Sequence, residues 1–213
     1  MRANQGTLGG NRISTSLHED RLDAVMDHLL TADTREVADL GCGSGALLER
    51  LVCQPHLRRI VGVDQSALAL RAARARLTTR AGSSDERISL RLGSVTEPDY
   101  DLRSVDAAAL VEVLEHLPPS RLSRLEGGLF RGVRPRRVVI TTPNREYNVL
   151  YGLDAGEYRH PDHRFEWDRS RFETWASGVA HRNGYHLTFE GVGRPHASFG
   201  SPTQMAVFRL VES

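Results

Sequence analysis

The sequence predicts an α/β protein: a seven-stranded, mostly parallel sheet with helices on both faces and an antiparallel hairpin at its C-terminal end. Three observations carry that prediction. The apolar run VADL at 37–40 leads straight into Gly41-Cys42-Gly43-Ser44-Gly45 and then into a helical stretch at 46–52. A second apolar run, 59–64, ends in Asp64, an acid about twenty residues past the glycines, which is the layout of a nucleotide-binding βαβ unit. Two later runs, 106–113 and 137–142, also bring polar residues, Glu112 and Thr141-Thr142, to what would be the carboxyl edge of the same sheet. Strands that alternate with helices pair in parallel, because a parallel neighbour needs a crossover connection.

Residues 1–15 read as a flexible lead-in, and 16–213 as one domain. Positions 18–30 place Leu22, Val25, Met26 and Leu29 on one helical face, with His18 and His28 at surface positions and without a role. Thr31 to Thr34 ends that helix. After the first two strands, Ser66 opens an arginine-rich helix to Thr78. The alternating stretch at 88–92 is a third strand that ends at Gly93-Ser94-Val95. The fourth strand, 106–113, is followed by Leu117-Pro118-Pro119 and by a helix at 120–130 with Arg121, Arg124 and Arg131 outward. The fifth strand, 137–142, ends at Thr141-Thr142-Pro143-Asn144, again at the ligand edge. Residues 145–167 are irregular but rich in aromatic side chains, and a loop of that length in a compact domain is a functional signal. A helix to Arg182, with Phe172, Trp175 and Val179 inward, is stopped by Gly184. Stretches 185–191 and 203–211 form the closing antiparallel pair.

Composition narrows the chemistry. A chain of 213 residues can bury one substantial core, and its net charge of +1 creates no global field towards or away from nucleic acid. All 28 basic side chains are arginine, so any mechanism that requires a lysine is excluded. Cys42 and Cys53 are too few for a disulfide framework or a metal knuckle and read as reduced thiols. The first fourteen residues lack an apolar signal region, and no apolar run approaches membrane-spanning length. A cytoplasmic protein without a membrane partner, and a monomer, is the expectation.

Two stretches carry the function. Glycines at 41, 43 and 45 let the backbone turn sharply and let a ligand approach it, with a helix N-terminus behind them. The G-x-G-x-G spacing, with Asp39 two residues upstream, resembles the nucleotide-binding loop of S-adenosylmethionine-dependent methyltransferases. Asp39 would take the amino-acid end of that donor, the amides of Gly41, Cys42 and Gly43 its carboxylate, and Asp64 its ribose, with Ser66 just beyond. Ser94 and Val95 would hold the adenine edge. The second stretch is Glu112-Val113-Leu114-Glu115-His116, at the exit of the fourth strand. If the chain turns helical there, the two carboxylates and the imidazole share one face at i, i+3 and i+4. Hard oxygens beside a borderline nitrogen make a divalent-metal half-site. His160-Pro161-Asp162-His163 can supply the missing imidazole.

Together, VADLGCGSG, VGVDQS, DAAALVEVLEHL, TTPNREYNVL, RHPDHRFEW and SPTQMAVF resemble the small-RNA 3′-terminal ribose 2′-O-methyltransferases, in particular their bacterial RNA-repair branch. The matches span 37 to 208, and Arg21-Leu22 looks family-like too. The resemblance implies a Rossmann-like class I methyltransferase that transfers a methyl group from S-adenosylmethionine to the 2′-hydroxyl of the terminal ribose. It implies Glu112, Glu115, His116 and His163 as metal ligands, with manganese(II) preferred and magnesium or cobalt as alternatives. One ion would chelate the vicinal 2′- and 3′-hydroxyls. Arg159 and His160 would support substrate and ligands, and Thr142 and Asn144 would border the terminal nucleotide. His116, Glu112 and a water remain open as the proton acceptor. The bacterial members of that family usually carry a long N-terminal region that works with an RNA kinase, phosphatase and ligase. That region is not in this sequence, which puts the repair partnership in question. Two other readings stand beside this one: a metal-dependent O-methyltransferase acting on a small vicinal diol, and a non-catalytic RNA-end binding module.

Overall fold

The structure, a computed structural model, describes residues 9–81, 85–97, 100–102 and 105–211. Seven strands form one sheet in the order β3-β2-β1-β4-β5-β7-β6. Strands β1 (Glu36–Leu40), β2 (Arg59–Asp64), β3 (Ile88–Leu92), β4 (Ala107–Val111) and β5 (Arg137–Pro143) are mutually parallel. β7 (Thr203–Leu210) lies antiparallel between β5 and β6 (Tyr185–Val192). The chain order reverses at β1, which pairs with β2 on one side and β4 on the other. Ligands of open α/β sheets bind outside the carboxyl ends of the strands at such a switch point.

The central strands are buried on both faces, which is why they read as continuous apolar runs rather than alternating ones. Successive side chains nevertheless feed two different cores. Val37, Ile60, Ala109 and Val139 pack with helices α1 (Gly9–Leu29) and α2 (Ala46–Leu51) and with Leu77 of α3 (Ala67–Ala81). Ala38, Val61, Leu110 and Ile140 face α4 (Leu122–Glu126) and α5 (Arg169–Asn183) across the sheet. Layers of helix on both sides of a mostly parallel sheet are thus present, as the sequence predicts.

Several elements differ from expectation. α1 begins at Gly9, so residues 9–15 belong to a helix rather than to a lead-in, while 1–8 lie outside the described residues. Leu17, on the same helix, is lodged against Gly193 and ties that end of it to the β6–β7 connection. The helix expected at 120–130 is composite: a 3₁₀ turn at Pro119–Arg121, the short α4, and a π-helical turn over Gly127–Val133. Its glycine pair weakens α-geometry there, and Arg134, left-handed at φ 53°, ends it with a hydrogen bond to Leu129 O. The segment expected to be irregular contains a 3₁₀ helix, Arg145–Tyr151, capped by the Asn144 side chain. Among the described residues no helix is long and apolar enough to cross a membrane.

Candidate active site

The glycine loop sits at the carboxyl edge of β1. Gly41 N–H and Cys42 N–H both donate to Val63 O, at 2.7 and 3.0 Å, which folds the loop back over β2. Gly41 has φ 85°, and a Cβ there would stand 2.5 Å from Val113 Cγ2, so only glycine fits. A Cβ on Gly43 would meet nothing within 4 Å, so the loop faces open space at that point. Asp64 accepts Gly43 N–H at 2.9 Å and Ser66 N–H at 2.8 Å, bridging the loop to the start of α3. Ser66 spends its hydroxyl on Ala69 N–H as a helix cap. Ser94 pairs with the Thr96 hydroxyl at 2.9 Å.

These residues line one cavity of about 680 Å³ that holds Asp39, Gly41, Cys42, Gly43, Asp64, Ser94 and Val95 together with Glu112 and His116. The volume and mixed lining are those of a small-ligand pocket. Asp39 is almost fully buried, and burial first, then the charge of Asp64, push its carboxyl up to about 7. Burial also pushes the Cys42 thiol up, so it stays protonated.

The metal-ligand candidates occupy the adjoining corner. β4 ends at Val111, Glu112 adopts a left-handed φ of 56°, and Leu114–His116 is a single 3₁₀ turn. The shared helical face of Glu112, Glu115 and His116 therefore does not form. Leu117 is extended, as a residue before proline must be, and Pro118 brings no N–H to continue the turn. The turn instead aims Glu115 and His116 at His163, and candidate ligand atoms of these three lie within 4.8 Å of one another. Glu112 stands apart. Its carboxylate accepts the Thr141 hydroxyl at 3.0 Å and pairs with Arg21 at 3.1 Å, while Arg21 also donates to Thr203.

Glu115 is fully buried. Its Oε2 accepts the Thr142 hydroxyl at 2.9 Å, and its Oε1 has no partner. Burial, then the neighbouring Glu112 charge, holds its carboxyl well above the ordinary range. His116 is held below its ordinary value by burial and by His163, whose ring centroid is 4.8 Å away. His160 is exposed and stands 6.0 Å from His116 and 5.6 Å from His163. Arg159 is committed inside the protein: Nε to Asn148, Nη1 to Pro202 O and Nη2 to Asn144 O, with its guanidinium over the Tyr151 ring. It braces the loop rather than reaching outward.

Thr142 and Asn144, expected beside a terminal nucleotide, are buried supports. Thr142 holds Glu115, and Asn144 donates to Phe199 O and Ser201 O. Thr141, Asn148, Glu166 and Arg21 fall within the quoted stretches, but the sequence assigns none of them its partner: Glu112 for Thr141 and Arg21, Glu166 for Asn148, and His163 for Glu166. Glu166 had a local signal, since it stands three residues after His163. The other pairings are long-range.

The fold and the glycine-loop cavity define a class I S-adenosylmethionine-dependent methyltransferase, and residues 37–136 match the methyltransferase domain family. The small RNA 2′-O-methyltransferase of Rattus norvegicus is 37% identical over 207 residues, covering 93% of this chain and 52% of its own. The chain thus spans about half the length of that curated relative. The crystal structure of the methyltransferase domain of bacterial CtHen1 superposes with a TM-score of 0.81 at 41% identity, covering 91% of this chain and 100% of that one. A chain of the Pnkp1/Rnl/Hen1 RNA repair complex shares the fold, with a TM-score of 0.68 at 21% identity over 91% of this chain and 41% of that one. This chain belongs to the Hen1 family, as a Hen1-like methyltransferase domain.

Proposed function

We propose that this domain transfers a methyl group from S-adenosylmethionine to the 2′-hydroxyl of the 3′-terminal ribose of RNA, with a divalent ion held by Glu115, His116 and His163 and joined by Glu112. The observation that carries this reading is Glu115: a buried carboxylate whose Oε1 has no partner, beside two imidazoles, at the edge of the donor cavity. An unpaired buried carboxylate is costly, and a cation is what offsets it. Two carboxylates with two imidazoles suit manganese, cobalt or iron better than magnesium, which prefers an all-oxygen shell.

When bound, such an ion supplies Lewis acidity toward the vicinal 2′- and 3′-hydroxyls of a terminal ribose. The chain contributes position. Its glycine loop, Asp39 and Asp64 hold the donor in the same cavity whose wall carries Glu112 and His116, so the reacting groups meet without a further search. Glu112 and His116 are the cavity-lining groups of that corner able to accept a proton. Arg121 and Arg164 also line the cavity, which suits a phosphate-bearing substrate over a small neutral diol. A monomer that associates with an RNA-repair assembly of the Pnkp1/Rnl/Hen1 kind completes the reading.

The test is methyl transfer to a short RNA ending in ribose or 2′-deoxyribose, with manganese or a chelator. Transfer is expected only to the ribose end and only with metal. Alanine at Glu115 or His163 should abolish it while donor binding persists. Full activity in chelator, or transfer to a catechol but not to RNA, would overturn the proposal.

A further inference from the structure

We infer that Glu166 is a positioning carboxylate: it fixes the tautomer and orientation in which His163 presents Nε2 to the ion. The inference rests on the metal site proposed above and goes beyond its ligand set.

Residues 164–167 run across the sheet edge, where the Asn144–Trp167 bridge and the Arg145 N–H to Trp167 O bond hold them. Phe165 and Trp167 stack on each other at 4.5 Å and enter the core beside α5. Glu166, between them in the chain, turns the other way, towards His163. Its side chain is completely excluded from solvent. Oε1 lies 2.5 Å from His163 Nδ1 and accepts Arg159 N–H at 2.7 Å, and Oε2 accepts the Asn148 amide at 2.6 Å.

An ionised carboxylate can only accept, so it compels Nδ1 to be the protonated ring nitrogen. Nε2 is then left with its lone pair, on the side of the ring available to Glu115 and His116. Both Glu166 oxygens already take N–H donors, Oε1 from Arg159 and Oε2 from Asn148, so the carboxylate faces His163 as an acceptor. Asn148 accepts Arg159 Nε at 2.6 Å, so the arginine braces the carboxylate through a second bond. A loop staple alone would need only hydrogen-bond closure. A carboxylate at this place also dictates which nitrogen the imidazole offers, and partners of this kind are commonly worth about 10- to 100-fold in metal affinity.

Two measurements test this on the whole chain. In the metal-free wild type at pH 8, ¹⁵N NMR of the His163 ring should show the Nδ1–H tautomer; an Nε2–H tautomer would overturn the inference. Free manganese(II) is then titrated by electron paramagnetic resonance against the wild type and Glu166→Gln. The variant should bind manganese about 10- to 100-fold more weakly, while its affinity for S-adenosylhomocysteine, measured by calorimetry, stays at the wild-type value and reports an intact fold. Equal manganese affinities would overturn the role of Glu166 alone. A wild type that binds no manganese would overturn the metal-site proposal and this inference with it.

Discussion

Replacing Asp39 with asparagine should remove a pH dependence of donor binding that the wild type shows between pH 6 and 7.5. Asp39 is only 2% exposed, and its carboxyl is raised from an ordinary 3.8 to about 7 by burial and then by Asp64. The protonated form is favoured by the fold. The stability gained is fully present below about pH 4 and is lost as pH rises through about 7, on the order of 4 kcal/mol at about 1.4 kcal/mol per pH unit. If the amino end of the methyl donor sits against Asp39, it reverses this, because a cation beside Asp39 favours the carboxylate. Donor binding then draws on the ionised fraction, which falls from about three quarters at pH 7.5 to about one tenth at pH 6, so affinity should drop roughly eightfold. Calorimetry with S-adenosylhomocysteine at the two pH values measures the drop, and paired buffers of different ionisation enthalpy count the released proton. His18 lines the same cavity, its imidazole held below the ordinary value by burial and by Arg21. The Asp39→Asn profile isolates its contribution. A flat wild-type profile, or an equal slope in the variant, would refute the argument.

Three further substitutions test the framework. Gly41→Ala puts a methyl group into Val113 at a φ of 85°, so donor affinity should fall at least about tenfold by the same calorimetry, with a strain cost of roughly 1–2 kcal/mol. Asn144→Ala removes two half-buried hydrogen bonds to backbone carbonyls and a helix cap, about 2–3 kcal/mol in all, or roughly 4–12 °C in Tm by thermal melting. RNA affinity below that melting range should hold, because Asn144 faces the protein; selective loss of RNA binding would restore it to the substrate border. Tyr185→Phe removes the buried bond to Pro135 O, and Tm should fall by about 2–4 °C with activity kept.

Much of this molecule is local physics that a linear reading can reach. Runs such as VADL, IVGV and AALV are buried on both faces and so declare parallel strands. Glycines at 41, 43 and 45 mark backbone that must go left-handed, and all three have positive φ. The acids at 39 and 64 fall beside them because strands β1 and β2 pair in register, Asp39 opposite Gly62. Leu22, Val25 and Leu29 bury as their helical spacing requires. What lies within one strand–loop–helix unit is set by neighbours a few residues away, and it was legible for that reason.

The candidate metal corner was decided elsewhere. Glu115, His116 and His163 come from two loops 47 positions apart in the chain, brought together by the β5 edge, through Thr142 and the Asn144–Trp167 bridge, and by the Arg164 N–H to Glu115 O bond between the loops themselves. The sequence by itself determined which ligand chemistry was available: carboxylates, imidazoles, a glycine loop and no lysine. Tertiary structure alone decided that Glu112 turns to Arg21 while Glu115 keeps an unpaired oxygen, and that Arg159 is a brace. Orientation of a polar side chain depends on which distant donors can reach it once the core has closed. A composition or a spacing carries no record of those distances.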